Sequence, residues 1–299
     1  MRVTLTGATG FIGNRLLKRL LAEGHSVHLL VRSARRGLPP GVEWSIWNTL
    51  EGDPPAASLA QSDAVIHLAG EPVAQRWTPD AKRRIRDSRV EGTRRLVGVL
   101  AGLERRPATM VCASAIGYYG IRGEEALDET SAPGSGFLPE VCIEWEKAAD
   151  AAAALGLRVV KLRTGVALGA EGGALARMLP PFRLGAGGRL GSGKQWMSWI
   201  HVDDLVSLFL FALEGAGVRG PLNATAPNPV RNSDFTEKLA AVLRRPALVP
   251  VPAFAIRLLF GEMSEVVLGS QRVLPRAGEA AGFRFRYPEV LPALRQLLG

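Results

Sequence analysis

Residues 2–13 read RVTLTGATGFIG, and this stretch decides the fold. The β-branched run Arg2–Thr6 predicts a short strand, and three glycines follow it at positions 7, 10 and 13. Leucines and isoleucine then recur at helical spacing until Gly24, which predicts a helix that ends there. Strand, glycine turn and helix in this order predict a helix N-terminus that faces a phosphate group.

Each glycine of this motif has its own physical function. Gly7 permits the tight turn, Gly10 lets a diphosphate approach the backbone, and Gly13 lets the helix pack closely against the strand. A glycine turn with a purely structural function is the alternative. We expect the dinucleotide to be bound by Gly7, Thr9, Gly10, Phe11, Ile12 and Gly13.

The end of the second predicted strand, Ser26–Val31, indicates which dinucleotide is bound. A cofactor without a 2′-phosphate needs an acidic residue there to hold the ribose hydroxyls, whereas one with the phosphate needs a cation. The strand is followed by Arg32 and Ser33, with Arg35 and Arg36 just beyond, and by no acid. NADP(H) is therefore favoured over NAD(H), with Arg32 as the main phosphate ligand and Ser33 beside it. An arginine-rich surface turn is the alternative.

The first half of the chain alternates apolar strands with helical segments, which predicts an α/β fold with a doubly wound parallel sheet. Further strands are predicted at Ala64–Leu68, Thr109–Ala113 and Arg158–Leu162, and further helices at Asp80–Leu100 and Cys142–Leu155.

The pattern changes after about Thr164. Eight glycines crowd the segment 169–194, which predicts a functional loop. A strand at Trp199–Val202 and a helix at Leu205–Leu213 follow, and the tail predicts helices at Phe254–Phe260 and Val290–Leu298 with a strand at Phe283–Tyr287 between them. We expect a dinucleotide-binding domain over 1–225 with a cap insertion over 169–194, and a smaller C-terminal domain over 249–297. The insertion and the tail would together close over the nicotinamide end.

Composition excludes several classes of protein. The chain has 299 residues, 47% of them apolar, and two cysteines, which argues against disorder and against a disulfide scaffold. We expect a cytoplasmic protein with no membrane segment, because the longest apolar run, Leu205–Leu213, is too short to cross a bilayer. Scattered histidines and cysteines give no metal-ligand spacing, so no metal is expected.

The formal net charge of +9 raises the question of a nucleic-acid partner. The densest basic run lies between Arg76 and Arg95, with the single aromatic residue Trp77 nearby. Nucleic-acid platforms usually interleave more aromatic residues. We therefore interpret this run as a solvated helix face and expect no nucleic-acid partner.

Three motifs together resemble the extended short-chain dehydrogenase/reductase superfamily: TGATGFIG at 6–13, HLAG at 67–70 and WIHVDDL at 199–205. A finer resemblance is to an atypical, YfcH-like branch of epimerase-family proteins that includes chloroplast SulA-like proteins. It is carried by SAIGYYG at 114–120, WE at 145–146, RTG at 163–165, the loop 187–199 and NATAPNP at 223–229. The tail from about Val249 resembles that branch's C-terminal DUF1731-like domain. The resemblance implies a Rossmann-type fold and adds Leu68, Ala69 and Gly70 to the expected cofactor site.

Members of this superfamily use a Tyr and a Lys four residues apart on a helix, with a Ser or Thr after the preceding strand. The Lys lowers the pKa of the Tyr, whose phenol moves a proton as hydride moves to or from nicotinamide. The three tyrosines here, at 118, 119 and 287, have no Lys four residues later. Alignment on Gly156 and Arg163 places Leu138 and Cys142 at the two positions; a register four residues later gives Cys142 and Glu146 instead.

Candidate catalytic residues are therefore Ser114, Tyr118 and Cys142. Ser114 would orient a substrate carbonyl, and Tyr118 or Cys142 would donate the proton. Packing functions are the alternative for both donors, and Glu146 is either a general base or a salt-bridging residue. His201, Asp203 and Asp204 match a structural motif of the superfamily.

The substrate side also departs from the superfamily. Nucleotide-sugar members often carry an Arg shortly before the HVDD stretch, where this chain has Met197, and Trp196 precedes it. This favours a more apolar or planar small-molecule ligand, although Arg189 and Lys194 could meet an anion. We carry two hypotheses: an NADP(H)-dependent oxidoreductase or epimerase-like enzyme, and a non-catalytic NADP(H)-binding regulatory or partner protein.

Overall fold

A computed structural model of the chain describes residues 1–34 and 37–299. Arg35 and Arg36 lie outside the described residues. The strands are β1 (Arg2–Thr6), β2 (Ser26–Val31), β3 (Val42–Ile46), β4 (Ala64–His67), β5 (Thr109–Ala115), β6 (Ala126–Leu127), β7 (Arg158–Thr164), β8 (Val166–Gly169), β9 (Trp196–Met197), β10 (Trp199–His201), β11 (Gly220–Ala224), β12 (Val230–Arg231) and β13 (Arg272–Val273).

Seven of these strands form one parallel sheet in the order β11-β7-β5-β4-β1-β2-β3. The chain starts in the middle at β1, winds outward to β3, and then returns to β4 on the other side. The strand order therefore reverses between β1 and β4, and ligands of such sheets bind at the carboxyl ends of the strands at this point. The predicted Rossmann-type, doubly wound α/β fold is confirmed.

The helices are α1 (Phe11–Ala22), α2 (Ala56–Ala60), α3 (Pro79–Ala101), α4 (Phe137–Asp150), α5 (Gly173–Arg183), α6 (Val202–Glu214), α7 (Asn232–Leu243), α8 (Ala253–Phe260), α9 (Ser264–Leu268), α10 (Arg276–Ala280) and α11 (Val290–Leu298). Apolar faces of α1 and α6 cover one side of the sheet, and those of α2, α3 and α4 cover the other. Strands buried on both sides explain the uninterrupted apolar runs in the sequence.

A smaller apolar cluster lies beside the sheet and joins parts of the chain that are distant in sequence. Leu175, Leu179 and Phe182 of α5 contact Phe235 and Leu239 of α7, together with the buried face of α11. The glycine-rich insertion and the tail thus share one core.

The insertion is not the loop that the sequence predicts. Helix α5 occupies Gly173–Arg183, even though Pro180 and Pro181 lie inside it. The spacing of Leu175, Leu179 and Phe182 puts three buried side chains on one face of α5, and this burial outweighs the poor helix propensity of the segment.

The helix predicted over Cys142–Leu155 begins five residues earlier, at Phe137, and ends at Asp150. Gly136, with φ of 103°, turns the chain into it. Pro139 is tolerated because the amides of the first helical turn have no intrahelical acceptor. A separate 3₁₀ turn covers Ala153–Leu155.

The strand predicted over Phe283–Tyr287 is wrong, because this segment forms no strand. Its alternating aromatic residues do turn inward: Phe283 packs against α6, and the Tyr287 ring stacks on His201 at 3.9 Å. Two of its backbone amides, however, donate hydrogen bonds to a side chain and not to a neighbouring strand. Asp204 of α6 accepts from the amides of Arg286 and Tyr287, both at 2.9 Å.

The structure also supports the structural interpretation of the HVDD stretch. His201 precedes α6, where its Nδ1 accepts from the amide of Asp203 at 3.1 Å, and its Nε2 lies 2.8 Å from Gln296 Oε1 of α11. The motif thus ties the start of α6 to the tail. No helix in the described part of the chain is both long and apolar enough to cross a bilayer.

Candidate functional site

The glycine motif forms a tight junction between β1 and α1. Gly7 has φ of +72°, and a Cβ there would lie 2.8 Å from the carbonyl carbon of Leu68. A Cβ on Gly13 would lie 2.2 Å from the Gly7 carbonyl oxygen, which no side chain can do. Both positions require glycine, one for its conformation and both for space.

The N-terminus of α1 is open to an anion. Gly10 is the residue before the helix, and it offers no side chain to cap the first amides. The amides of the first turn have no intrahelical acceptor, and the helix dipole favours negative charge there. The site therefore fits the diphosphate of a dinucleotide, with Phe11, Ile12 and Gly13 supplying amides and Thr9 on the exposed turn before them.

The Thr6 hydroxyl connects β1 to the loop after β4. Its oxygen accepts from the amides of Leu68 and Ala69, both at 3.0 Å, and lies 2.8 Å from His67 Nδ1. Because both lone pairs are used, the hydroxyl proton is donated to Nδ1, and the imidazole proton is on Nε2. This arrangement brings Leu68, Ala69 and Gly70 beside the glycine motif.

Arg32 and Ser33 follow β2 directly and are both exposed. No carboxylate within residues 1–34 and 37–299 forms an ion pair with Arg32. The guanidinium is therefore free to bind an anionic group at the adenosine end of the sheet edge.

The glycines of the insertion have a function that the sequence did not reveal. Residues Gly169, Gly172 and Gly173 enclose the Phe11 ring, and a Cβ on these glycines would lie 2.3 Å, 2.5 Å and 3.1 Å from ring atoms. The β8–α5 connection thus lies against the first residue of α1. The sequence signal was present as the glycine cluster, but nothing in the sequence indicated its aromatic partner.

Ser114, at the carboxyl end of β5, belongs to a buried charged network. Its hydroxyl donates to Glu146 Oε1 at 2.7 Å. Arg163 of β7 donates to both oxygens of the same carboxylate, at 2.8 and 2.9 Å, and to the Tyr119 hydroxyl at 2.9 Å. Tyr119 in turn donates to Asn223 Oδ1 at 2.7 Å.

Ion pairing and burial shift the pKa values in this network. Burial raises the pKa of Tyr119 to about 12, whereas the Glu146 carboxylate raises the pKa of Arg163. Glu146 forms a salt bridge with Arg163 and also accepts the hydrogen bond of the Ser114 hydroxyl. Its Oε1 is shared by Ser114 and Arg163, so the Ser114 oxygen can offer only lone pairs to a ligand.

Tyr118 lies next to this network and is only half-buried. The Arg163 guanidinium stacks on its ring at 3.5 Å, and the Tyr119 ring contacts it edge-on at 5.3 Å. Its hydroxyl makes no hydrogen bond to any described residue, so it is available to a ligand.

Cys142 is buried on α4, close to Gly117 in the turn after β5. Burial, and then the charge of Glu146, raise the pKa of its thiol to about 12, against the opposing charge of Arg89. The thiol keeps its proton at neutral pH, which is incompatible with a thiolate nucleophile. The hypothesis that Cys142 donates a proton stays a prediction.

Trp196 of β9 lies between two arginines. Arg231 and Arg272 lie 4.6 Å and 4.9 Å from its ring centroid, and its indole nitrogen donates to Glu124 at 2.9 Å. These three contacts hold the half-buried indole next to Met197.

Most of the basic residues of α3 form ion pairs. The partners are Glu262 for Lys82, Asp80 for Arg83 and Arg84, Glu144 for Arg86 and Glu91 for Arg94. Arg89 differs, because its side chain turns away from solvent toward Trp145 and the loop after β4. The interpretation of this run as a solvated face is therefore wrong for Arg89.

A group of possible metal ligands lies away from this edge. Glu23, His25 and Glu214 offer atoms within 4.8 Å of one another. His25 Nδ1 already faces the terminal amine at 3.4 Å, and its Nε2 faces Glu214 at 3.5 Å. Protein groups therefore account for both ring nitrogens.

Comparison with known proteins gives two family matches. The model of the NAD dependent epimerase/dehydratase family matches residues 3–223. A second model, for a domain of unknown function called DUF1731, matches residues 251–297.

Several curated proteins are similar over the whole chain. A chloroplastic SDR39U1 homolog of Arabidopsis thaliana, named an epimerase family protein, is 45% identical over 100% of this chain and 87% of its own length. The epimerase family protein YfhF of Bacillus subtilis is 40% identical over 100% of this chain and 98% of its own length. Among solved structures, human epimerase family protein SDR39U1 with NADPH is 36% identical, with a TM-score of 0.89 over 100% of this chain and 99% of that one.

We predict that alanine at two glycines of the motif has different effects on the free energy of unfolding. Gly13→Ala should lower the free energy of unfolding by about 2 kcal/mol or more, because its Cβ meets a backbone oxygen that cannot move freely. Gly10→Ala is the matched control: its Cβ would lie 3.4 Å from that same oxygen, an ordinary contact. Urea unfolding measures both. Equal losses for the two variants would contradict the packing assigned to Gly13.

His67 should make the protein sensitive to mild acid. Burial lowers its pKa from 6.5 to about 4, so the unfolded chain binds a proton at this residue before the folded chain does. Stability from this group is complete above pH 6.5 and falls by about 3 kcal/mol as the pH drops to 4. Urea unfolding of His67→Gln between these pH values should show a smaller loss than the parent, with His25→Gln as control. The same slope in all three proteins would refute the assignment.

Proposed function

The chain belongs to the NAD dependent epimerase/dehydratase family, and on that premise we propose that it binds NADP(H) and acts as an oxidoreductase or epimerase-like enzyme on a small molecule. The observation that carries the proposal is the pairing of an open α1 N-terminus with Arg32 at the end of β2. An arginine at this place suits a 2′-phosphate, whereas an acidic residue would suit a free 2′-hydroxyl. That the human relative was solved with NADPH supports the same choice.

When bound, the nicotinamide ring would supply or accept a hydride. The groups of this chain that could handle the accompanying proton are Ser114 and Tyr118. The Ser114 hydroxyl donates its hydrogen bond to Glu146, so its oxygen can accept a hydrogen bond from a substrate hydroxyl. Tyr118 offers an O–H donor that suits a carbonyl oxygen. The two residues could therefore orient the alcohol and the carbonyl form of one substrate.

The pair formed by Arg163 and Glu146 positions both groups. The carboxylate fixes the Ser114 hydroxyl, and the guanidinium lies flat on the Tyr118 ring. In this proposal Arg163 holds the Tyr118 ring in place through this stacking contact.

A non-catalytic, NADP(H)-binding regulatory protein is the second candidate. Its support is the absence of a Tyr–Lys pair, since residues 138 and 142 are leucine and a cysteine whose thiol stays protonated. Binding would then change the protein's contacts with a partner without turnover. A test of turnover separates the two candidates.

Calorimetry with Arg32→Ala tests the choice of cofactor. The variant should bind NADPH roughly 10- to 100-fold more weakly, the loss expected for one charge-assisted hydrogen-bonding group, and should bind NADH as the parent does. Arg105→Ala, which removes an exposed arginine paired with Asp63, is the matched control. Equal binding of NADPH and NADH by the parent protein would overturn the assignment of Arg32.

A reductase screen tests turnover. NADPH absorbance is followed over a panel of small ketones, aldehydes and enones, and Tyr118→Phe and Ser114→Ala are assayed on any compound that is reduced. Each variant should lower kcat roughly 100-fold, as expected for loss of a group that moves or orients a proton. Thermal melting controls for folding. An inactive parent that binds NADPH would favour the regulatory candidate, whereas an unchanged kcat in both variants would overturn the functions proposed for Ser114 and Tyr118.

A further inference from the structure

Arg89 lies on α3, but its side chain reaches the loop after β4. Its Nη1 donates to the carbonyl oxygens of Glu71 at 2.9 Å and Ile85 at 3.0 Å. The guanidinium carbon lies 5.3 Å from the centroid of the Trp145 ring on α4. Contacts with two helices and a loop thus hold this cation in one position.

The remaining donors of Arg89 are unused. It makes no ion pair within residues 1–34 and 37–299, unlike most of its basic neighbours on α3, and its Nη2 and Nε donate to no described acceptor. The residue is half-buried, and its guanidinium lies between the Trp145 ring and the loop after β4. A fixed guanidinium with free N–H groups is suited to an oxygen-rich ligand.

Gly70 leaves room for this cation. A Cβ on Gly70 would lie 3.0 Å from Arg89 Cζ and 3.2 Å from its Nη2. The φ of Gly70 is not in the left-handed region, so the turn itself does not require glycine. The missing side chain therefore matters because it lets the guanidinium lie directly against the loop Leu68–Gly70.

The sheet order indicates which part of a ligand meets Arg89. Arg32 follows β2, on one side of β1, whereas the Arg89 contacts lie after β4 and on α4, on the other side. The two halves of a dinucleotide bind across such a reversal point, one on each side. Arg89 thus faces the half opposite the adenosine.

We propose that Arg89 binds the nicotinamide-riboside half of the dinucleotide through its free N–H groups. The inference rests on the proposed function and adds a residue that the sequence placed on a solvated helix face. It also accounts for the missing lysine on α4: the site obtains its cation from α3, next to Cys142, whose pKa the charge of Arg89 lowers against the opposing effect of burial.

The test compares two ligands by calorimetry: NADPH, and adenosine 2′,5′-bisphosphate, which lacks the nicotinamide-riboside half. Arg89→Met should weaken NADPH roughly tenfold or more and leave the bisphosphate within about twofold, because only NADPH reaches the guanidinium. Arg32→Ala should weaken both ligands. Arg94→Met, which removes an exposed ion pair further along α3, should change neither.

A second variant covers the case in which Arg89→Met does not fold. Gly70→Ala retains the charge but displaces the guanidinium, so it should also weaken the binding of NADPH and not that of the bisphosphate. Arg89→Lys should bind NADPH more tightly than Arg89→Met does, because it retains a cation. Equal weakening of both ligands, or none in either, would overturn the function assigned to Arg89 while the NADPH proposal stands. Failure of the parent to bind NADPH would instead overturn the proposed function and this inference together.

Discussion

The contact between Gly13 and the Gly7 carbonyl is the constraint on which the rest of the site depends. A side chain at either residue would meet backbone atoms, so the start of α1 can lie directly on the turn after β1 only with glycine at both. Thr6, one residue earlier, uses its hydroxyl to hold the loop after β4 against the same turn. One junction therefore positions an anion-binding helix end and the loop that carries Gly70, and the insertion then covers it through Phe11.

Beyond this junction the site is organised by buried charge. Glu146 and Arg163 form a bidentate pair that would be costly to bury without hydrogen bonds for its remaining atoms, and Ser114 and Tyr119 supply them. Tyr118 lies on the outer face of the same guanidinium, with its hydroxyl free. The chain lacks the tyrosine–lysine pair of its superfamily, yet it brings a phenol, a serine and two arginines, Arg163 and Arg89, to the edge where that pair would act.

Local sequence patterns correctly predicted those elements in which the burial pattern and the intrinsic propensity favour the same secondary structure. Strands β1 and β2 and helix α11 have the predicted bounds, because doubly buried strands and amphipathic helices leave periodic signals. The prediction failed where a tertiary partner outweighed the local pattern. The segment Phe283–Tyr287 alternates as a strand does, but the Asp204 carboxylate accepts the hydrogen bonds of its amides at Arg286 and Tyr287. Helix α5 forms in a segment rich in glycine and proline because one of its faces is buried. Strands β3 and β11, at the two edges of the sheet, were not predicted at all.

The sequence by itself determined the glycine junction, the α/β class and the absence of an acidic residue after β2, because each is a matter of residue type within a few positions. Only the tertiary structure decided which distant groups meet. That Ser114 donates to Glu146, that Arg163 covers Tyr118 and that Arg89 turns toward Gly70 depend on the packing of α3, α4 and β7 around one sheet edge. A contact between residues dozens of positions apart leaves no periodic trace in the chain, because it is set by side-chain direction and space, which exist only once the sheet has formed.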